Sequence, residues 1–499
     1  MPYTVGLDIG TSGARAIVVD ARGKVVASGT ATYPISHPRP LWSEQDPNDW
    51  WEGAQQAVRT AVASSGVANE VVGIGLTGQM HGAVFLDEAD QPIRPAMLWN
   101  DGRTADQCAE IERRVGSERL LEIAGNPALT GFQAPKILWL RDHEPDAYRR
   151  LRRLLLPKDY IRLRLTGDAA TDASDASGTL LLDLATRDWS SEIVDALELS
   201  AGWLPEVYEG PEVTGTLRPD VARVLGLQAG IPVIAGGGDN AAAAVGTGIV
   251  REGFVSASIG TSGVIFAHTD RFVPDPGGRL HTFCHAVPDK YHLMGVTLSA
   301  GGSFQWWRDL LGGDAGYGEL ADAADGVPAG AEGLVFLPYL SGERTPHRDP
   351  LARGTFFGLT ARHGQAHLSR AVMEGVVFSL RESIEIMQEL GIAINHVRAT
   401  GGGARHPLWI ALQADILGLP VYRSDAEEGP ALGAALLAGV GAGMFADVGT
   451  ASALIGVEEP GQTPDPTRED RYSELYPLYR DVYERTAETM HALSRFAEG

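Results

Sequence analysis

The chain opens with short apolar runs separated by polar glycine turns. The run Tyr3–Ile9 predicts a strand, and Gly10 to Gly13 predict a turn after it. Apolar residues at 16–20 and again after Lys24 predict two further strands. The first thirty residues therefore predict a β-meander.

Later segments alternate between the periods of a helix and of a buried strand. Asp46 and Pro47 are typical of a helix start, and apolar residues recur at helical spacing from Trp50 to Ala61. The other predicted elements are strands at 71–76 and 232–235, and helices at 368–387, 408–417 and 479–493. This alternation indicates an α/β fold, in which ligand-binding loops follow the ends of strands.

One short pattern occurs twice, half a chain apart. Gly10-Thr11-Ser12-Gly13 recurs as Gly260-Thr261-Ser262-Gly263, each time between two apolar strands. A duplicated domain is the simplest cause of such a repeat. We therefore predict two domains, residues 1–247 and residues 248–499.

Composition and charge narrow the classes of function. The 499 residues carry a formal net charge of −23, and no apolar run approaches the length of about 18 residues that a membrane span needs. A chain so acidic, without a basic stripe, is a poor partner for nucleic acid or anionic lipid. Cys108 and Cys284 lack metal-ligand spacing, and we expect them to be structural. A cytoplasmic protein without nucleic-acid or membrane partners is expected.

The two glycine turns have the composition of an anion-binding site. A Gly-Thr-Ser-Gly turn exposes successive main-chain N–H groups and two hydroxyls, which suits phosphate without any lysine. If the two halves face each other, both hairpins can grip one polyphosphate. Asp8, near the end of the first strand, then has the right chemistry to hold a magnesium ion, although a hydrogen-bonded turn residue is the alternative.

The glycine-rich stretch from Gly236 to Asn240 allows two interpretations. Gly236, Gly238 and Ala241 fit the G-x-G-x-x-A spacing of a dinucleotide-binding fold, but no βαβ partner unit with a closing acidic residue follows. The stronger interpretation places Asp239 in a glycine-lined cleft, where its carboxylate accepts the proton of an attacking hydroxyl. The sequence lacks the Walker and protein-kinase phosphate motifs.

Two further loops suit a nucleotide and a polar substrate. Gly401 and Gly402 precede a helix, and as an isolated turn they indicate a plain helix-entry loop. The absence of side chains there also leaves room for a base or ribose, and the position after the second glycine hairpin favours this nucleotide interpretation. Met80 and His81 follow a predicted strand, and His81 offers a donor and an acceptor for sugar hydroxyls. A structural histidine is the alternative.

Longer motifs carry a family resemblance. The stretch Phe132 to Leu140, and a second running from Gly354 to Leu359 and on through His367 to Glu374, resemble the two motifs of the FGGY carbohydrate kinases, members of the fold group of actin, Hsp70 and hexokinase. Six more are similar to the branch that phosphorylates D-xylulose: LWSEQDP (41–47), GQMHG (78–82), LWNDGR (98–103), LLPKDYIRLRLTG (155–167), GGGDNAA (236–242) and FLPYLSGERTPH (336–347). The resemblance spans nearly the whole chain.

The resemblance implies an α/β enzyme of two actin-like (ribonuclease H-like) domains flanking a catalytic cleft, with the sugar in the N-terminal domain and the nucleotide in the C-terminal one. It implies phosphorylation of D-xylulose to D-xylulose 5-phosphate by ATP and Mg²⁺. The roles implied at matching positions are Asp239 as general base, Met80, His81 and Asn240 at the sugar, Asp8 at the metal, Thr11, Ser12, Gly260, Thr261 and Ser262 at the phosphates, and Gly401 and Gly402 at the adenosine.

Other functions remain open on the sequence alone. The same fold could phosphorylate ribulose, fuculose or a polyol, since sequence does not reveal the geometry that selects among hydroxyls. A non-catalytic actin-like module and a nicotinamide-dependent dehydrogenase are the alternatives from other classes. A homodimer is one option, because dimers are common in the family.

Overall fold

A computed structural model describes residues 1–313, 315–424, 429–457 and 459–498, so the last residue of the predicted second domain, Gly499, lies outside it. The strands of the N-terminal half are β1 (Tyr3–Ile9), β2 (Gly13–Asp20), β3 (Val25–Thr32), β4 (Glu44–Gln45), β5 (Val71–Gly78), β6 (Val84–Leu86), β7 (Ala96–Met97), β8 (Arg153–Leu155), β9 (Ala170–Asp172), β10 (Leu182–Asp183), β11 (Asp188–Trp189), β12 (Glu206–Tyr208), β13 (Val213–Thr216), β14 (Pro232–Ile234) and β15 (Gly237–Gly238). Its helices are α1 (Pro47–Ser65), α2 (Ala105–Val115), α3 (Ser117–Ala124), α4 (Gln133–His143), α5 (Pro145–Arg150), α6 (Pro157–Thr166), α7 (Ala173–Ala176), α8 (Ser191–Ala196), α9 (Pro219–Leu225) and α10 (Asp239–Gly246).

The C-terminal half has fewer strands and longer helices. Its strands are β16 (Gly253–Ile259), β17 (Gly263–Thr269), β18 (His281–Cys284), β19 (Tyr291–Thr297), β20 (Val335–Leu337), β21 (Thr355–Phe357), β22 (Ile394–Gly401) and β23 (Val421–Arg423). Its helices are α11 (Gly301–Leu310), α12 (Tyr317–Asp325), α13 (Gln365–Glu389), α14 (Pro407–Leu417), α15 (Gly429–Gly441), α16 (Val448–Ser452) and α17 (Pro466–Glu498). The final helix thus begins well before the predicted residue 479, with Pro466 in its first turn.

The two main sheets repeat one topology. In the first, β1, β2 and β3 form an antiparallel meander, and β5 and then β14 continue it in parallel from β1. In the second, β16, β17 and β19 form the meander, and β22 and then β23 continue it in parallel from β16. The predicted duplication is therefore a duplication of sheet order, with each Gly-Thr-Ser-Gly turn joining the first two strands of its sheet.

The register places equivalent loops side by side in both halves. Ile9 pairs with Gly78 at the ends of β1 and β5, and Ile259 pairs with Gly401 at the ends of β16 and β22. Because parallel strands end at one edge of a sheet, each glycine hairpin lies next to the loop after the neighbouring strand. The loop carrying Met80 is thus the topological equivalent of the loop that starts at Gly401.

Separate cores lie behind these edges. The α1 face predicted from its spacing, which includes Trp50 and Ala57, is buried against the first sheet. Helices α13, α14 and α17 contribute to the core of the second sheet. Among the described residues, no helix has both the length and the apolar character of a membrane span.

Two small-residue helices join the halves. A Cβ atom on Gly433 of α15 would overlap the carbonyl oxygen of Ala242 in α10, so the two backbones are in direct contact. Helix α15 also lies on the first sheet, where glycines at Gly6 and Gly75 leave no side chain between strand and helix. Since α15 thereby packs on the sheet of the other half, the division at residue 247 stays a prediction.

Candidate active site

The first glycine hairpin is held by a polar network. The Tyr33 hydroxyl donates a hydrogen bond to Gly10 O at 2.6 Å, and Thr11 Oγ1 donates to Gln79 Oε1 at 3.1 Å. Thr11 Oγ1 also accepts a hydrogen bond from Trp99 Nε1 at 3.0 Å, whereas Ser12 is exposed. The Thr11 hydroxyl is thus committed to side chains of the same half, and the Ser12 hydroxyl is accessible to a ligand.

Asp8 lies in β1, one residue before the strand ends, between Arg15 of β2 and Thr77 of β5. Its Oδ1 atom is buried and forms no hydrogen bond within the described residues. Burial, together with the nearby charge of Asp239, raises the pKa of Asp8 to about 7, against the opposing charge of Arg15. The carboxylate of Asp8 is therefore poised to accept a cation.

Asp239 is the first residue of α10, directly after the short strand β15 beside β5. Its Oδ1 accepts hydrogen bonds from Asn240 N at 2.7 Å and Asn240 Nδ2 at 2.9 Å. Burial raises the pKa of Asp239 to about 6, although these two hydrogen bonds stabilise the anion. A carboxylate with such a pKa is suited to accept a proton near neutral pH.

A fully buried charged cluster supports the strand before Asp239. The main-chain N–H of Gly238 donates to Ser174 Oγ at 3.1 Å, and Ser174 Oγ donates to Asp172 Oδ2 at 2.5 Å. Lys158 Nζ lies 2.9 Å from Asp172 and 3.4 Å from Asp175. Burial raises the pKa of Asp175 well above its usual range. Sequence reasoning gave none of these residues a role, because their contacts join positions far apart in the chain.

Met80 and His81 lie beside this strand. A Cβ atom at Gly238 would lie only 2.9 Å from the Met80 sulfur, so the Met80 side chain fills the space beside this glycine. His81 Nδ1 is 2.7 Å from Gly178 O, so this nitrogen carries the proton and donates it. Burial lowers the pKa of His81 to about 3, which keeps the ring neutral. His81 Nε2 is therefore an acceptor, matched to a sugar hydroxyl.

His81 also lines a pocket of about 320 Å³ that both halves form. Residues of the first half include Trp99, Asn100 and Phe132, and the second half contributes His281, Phe283, Met294 and Arg344. Of the predicted sugar residues, only His81 is in this wall. Met80, the residue before His81, contacts Gly238, which directly precedes Asp239 and Asn240. The pocket residues of the second half had no predicted role. His281 and Phe283 lie in β18, Met294 lies in β19, and Arg344 lies in the loop after β20.

A second pocket, of about 420 Å³, lies in the C-terminal half. Of the residues predicted to bind the nucleotide, Gly260, Thr261 and Gly402 line this pocket, whereas Ser262 and Gly401 are not in its wall. Its larger surfaces come from residues that the sequence did not reveal: Phe304, Gln305, Tyr317, Arg405 and Trp409. Flat aromatic walls beside a glycine loop suit a nucleotide base.

The predicted residues thus form two groups, one in each half. Asp8, Thr11, Met80, His81 and Asp239 cluster at the carboxyl ends of β1, β5 and β15, as topology requires. The second group surrounds the ends of β16 and β22. Within the described part of the chain, no three His, Cys, Asp or Glu residues form a metal-binding group. A Mg²⁺ ion with one or two carboxylates and further oxygens from phosphate and water fits Asp8 and Asp239.

Comparison with known proteins gives consistent matches. The model of the FGGY family of carbohydrate kinases matches with its N-terminal domain over residues 3–246 and with its C-terminal domain over residues 255–442. The xylulose kinase of Escherichia coli is 44% identical over 96% of this chain and 98% of its own length. That of Bacillus subtilis is 40% identical over 99% of both chains.

A solved structure is also similar to this chain. The crystal structure of xylulose kinase from Rhodospirillum rubrum has a TM-score of 0.93 and 32% identity, covering 98% of this chain and 100% of that one. The predicted fold of two actin-like α/β domains is confirmed, as is the prediction of a kinase, and the dehydrogenase alternative is wrong. Because both family models match and together span most of its length, the chain belongs to the FGGY family of carbohydrate kinases.

Proposed function

We propose that the chain transfers the γ-phosphoryl group of ATP to D-xylulose, giving D-xylulose 5-phosphate, with Asp239 as the general base. One observation carries the proposal. Asp239, whose pKa is raised to about 6, begins α10 directly after β15, and β15 lies beside β5, the strand that precedes the loop of His81. Relatives named xylulose kinase, 40% and 44% identical along nearly their whole length, support D-xylulose as the acceptor.

The sugar would lie against the first half. His81 Nε2 accepts a hydrogen bond from a hydroxyl, since Nδ1 already donates to Gly178. Asp239 Oδ2 is not used by Asn240, which bonds Oδ1, so the free oxygen can take the proton of the attacking hydroxyl. Asn240 holds the carboxylate in place, and Met80 supports the main chain at Gly238. Transfer then depends on in-line positioning, which is the main demand of phosphoryl transfer.

The nucleotide would lie in the second half. Gly402 and the aromatic residues around the pocket of about 420 Å³ receive the adenosine, beside Gly401, and the exposed hairpin of Gly260, Thr261 and Ser262 binds phosphate through its main-chain N–H groups. From the first half, Thr11 would bind the phosphate through its main-chain N–H, since its hydroxyl is committed to Gln79 and Trp99, and Ser12 through its exposed hydroxyl. Asp8 is the residue that would hold Mg²⁺, with Asp239 nearby; the bound ion offsets phosphate charge.

A coupled assay of ADP release with D-xylulose and Mg-ATP tests the proposal. In Asp239→Asn, which keeps the shape but not the base, we expect kcat to fall about 10² to 10⁴-fold with little change in KM. Asp195→Ala, at an exposed site on α8, is the matched control and should retain the wild-type rate. An undiminished rate in Asp239→Asn contradicts the role of base.

A panel of D-ribulose, L-fuculose and xylitol tests the acceptor. If one of these compounds gives the highest kcat/KM, it replaces D-xylulose as the proposed acceptor, and the proposed roles of the residues are unchanged. Tight binding of sugar and ATP without turnover would instead favour the non-catalytic module. A homodimer stays a proposal, which light scattering on the purified protein can test.

A further inference from the structure

Arg344 brings a positive charge from the second half into the pocket that His81 lines. It follows Glu343 in the loop after β20, and the pocket wall places it with His81, Trp99 and Asn100 of the first half. Within the residues that the structure describes, the Arg344 guanidinium forms neither a hydrogen bond nor an ion pair. The main chain of Arg344 is bonded: its N–H donates to Glu343 Oε1 at 2.7 Å, and its carbonyl oxygen accepts from Arg348 N at 2.6 Å. The donors of this guanidinium are therefore available to a ligand.

The residues on either side fix the position of Arg344. Glu343 accepts hydrogen bonds from Leu298 N at 2.9 Å and from Thr297 Oγ1 at 2.7 Å. Thr345 forms two hydrogen bonds with Val296. Its N–H donates to Val296 O at 3.0 Å, and its Oγ1 accepts from Val296 N at 3.1 Å. Since both flanking side chains are buried, the backbone at Arg344 is bound to the end of β19, and its approach to the pocket is set by the fold.

Glu343 is the acidic neighbour of Arg344, and its charge opposes the effect of burial, which still holds the pKa of Arg344 below its usual range. Burial lowers the pKa values of His81 and His281, so both rings are neutral. Asp101 is ion-paired with Arg103 at 2.6 Å. The Glu343 oxygens accept hydrogen bonds from Thr297 Oγ1, Leu298 N and the main-chain N–H of Arg344, and form none with the guanidinium. A partly buried guanidinium whose donors form no hydrogen bonds is costly, and a bound ligand that accepts from those donors would remove the cost.

We propose that Arg344 is a sugar-binding residue, donating hydrogen bonds to oxygen atoms at the end of the acceptor remote from the transferred phosphate. Asp239 is not in the wall of this pocket, so the hydroxyl that reacts lies toward Asp239 and the far end of the sugar reaches Arg344. A carbonyl or hydroxyl oxygen fits such a donor, and a carboxylate fits it better, since a guanidinium binds it bidentately. The pocket is thereby predicted to take aldonates as well as ketoses. The inference rests on the proposed function.

The same contact connects the sugar with the phosphate hairpin of the second half. Thr297, which Glu343 holds, pairs in register with Gly263, the last residue of the Gly260 hairpin. Main-chain N–H groups of Gly301 and Gly302 bond Gly260 O at 2.7 Å and Thr261 O at 3.0 Å. A sugar bound at both His81 and Arg344 therefore holds the second half, with its hairpin, against the first.

The test compares Arg344→Gln and Arg344→Lys with Arg348→Gln, an exposed arginine four residues on that does not line the pocket. For Arg344→Gln we expect KM for D-xylulose to rise about 10 to 100-fold, with KM for ATP unchanged. Arg344→Lys should recover part of the loss, because it keeps the charge but not the planar fork. Arg348→Gln should match the wild type.

Calorimetry without nucleotide tests the contact itself, using D-xylonate as a charged probe and xylitol as a neutral one. A direct contact predicts that Arg344→Gln weakens D-xylonate about tenfold more than it weakens xylitol. Equal losses for both probes, or an unchanged KM for D-xylulose, overturn the inference even if the wild type is an active xylulose kinase. If the wild type instead phosphorylates another sugar, the proposed function fails, and the contrast between the probes still decides the role of Arg344.

Discussion

The ammonium group of Lys136 donates a hydrogen bond of 2.9 Å to the main-chain carbonyl oxygen of His81. It donates a second, of 2.6 Å, to Gly131 O, and Gln133 Nε2 bonds Gly82 O at 2.9 Å. His81 has a φ of 67°, a left-handed conformation that a residue with a side chain adopts only when its surroundings impose it. The start of α4 therefore holds the loop that presents the His81 ring, which gives the first family motif a physical role.

We expect Lys136→Met to impair the sugar and not the nucleotide. The change keeps the apolar stem but leaves two buried carbonyl groups without donors, so the His81 loop can relax out of its strained conformation. KM for the sugar should rise about tenfold while KM for ATP stays constant. Steady-state kinetics with each substrate varied in turn measures this, with the exposed Lys24→Met as the control. Equal changes in both constants would indicate a general loss of structure instead.

Much of the fold could be predicted from short patterns of adjacent residues. The duplication could be predicted from the two Gly-Thr-Ser-Gly turns, because a turn between strands is encoded by four adjacent residues. The buried face of α1 could be predicted from the spacing of apolar residues between Trp50 and Ala61. The pairing of Ile9 with Gly78 and of Ile259 with Gly401 then follows from the shared topology.

The supports of the site could not be predicted in the same way. Lys136 and His81 are 55 residues apart, and the partner of Lys136 is a main-chain oxygen, which no residue type announces. Trp99 and Thr11 are 88 residues apart. The Arg344 pocket needs both halves to be in place. Sequence reasoning singled out the groups proposed to do the chemistry, because carboxylates and glycine loops are recognisable, and missed the groups that hold them in position.

The rate should depend on pH through Asp239. Its pKa is about 6, and only the ionised carboxylate can accept the proton of the sugar hydroxyl. At saturating Mg-ATP, kcat/KM for the sugar should be level above pH of about 7 and fall about tenfold for each pH unit well below 6. A profile of kcat/KM from about pH 5 to pH 8 measures this. A level profile across that range would show that no carboxylate with this pKa takes part.

Asp8→Asn should stabilise the protein while impairing catalysis. The pKa of Asp8 is raised from 3.8 to about 7 on folding, so the ionised form disfavours the folded state. The folded state binds the proton of Asp8 more tightly than the unfolded state does. The contribution of this group to the free energy of unfolding is therefore fully present below pH 3.8 and is lost as the pH rises toward 7. Asn has no charge to bury, so the gain in stability from Asp8→Asn should be small near pH 4 and reach about 4 kcal/mol above pH 7.

Urea unfolding of the wild type and Asp8→Asn at both pH values, without magnesium or nucleotide, measures the difference. Asp195→Asn is a suitable control, since Asp195 is an exposed acidic residue on α8 and is not part of the site. A gain in stability of the same size at both pH values would mean that the charge of Asp8 is not its cause.

Gly75→Ala should destabilise the fold and slow the reaction together. Gly75 pairs in register with Gly6, and α15 lies on both strands, with a Cβ at Gly75 overlapping the carbonyl oxygen of Ala434. The obstacle is backbone, which cannot rotate away, so overpacking should cost about 1 to 3 kcal/mol. Since α15 is in backbone contact with α10, whose first residue is Asp239, a shift of α15 should displace the base and lower kcat. Gly202→Ala, where the nearest atom is 3.6 Å from the added Cβ, should leave urea unfolding and kcat unchanged. If Gly75→Ala lowers stability but leaves kcat intact, α10 and α15 do not move as one unit.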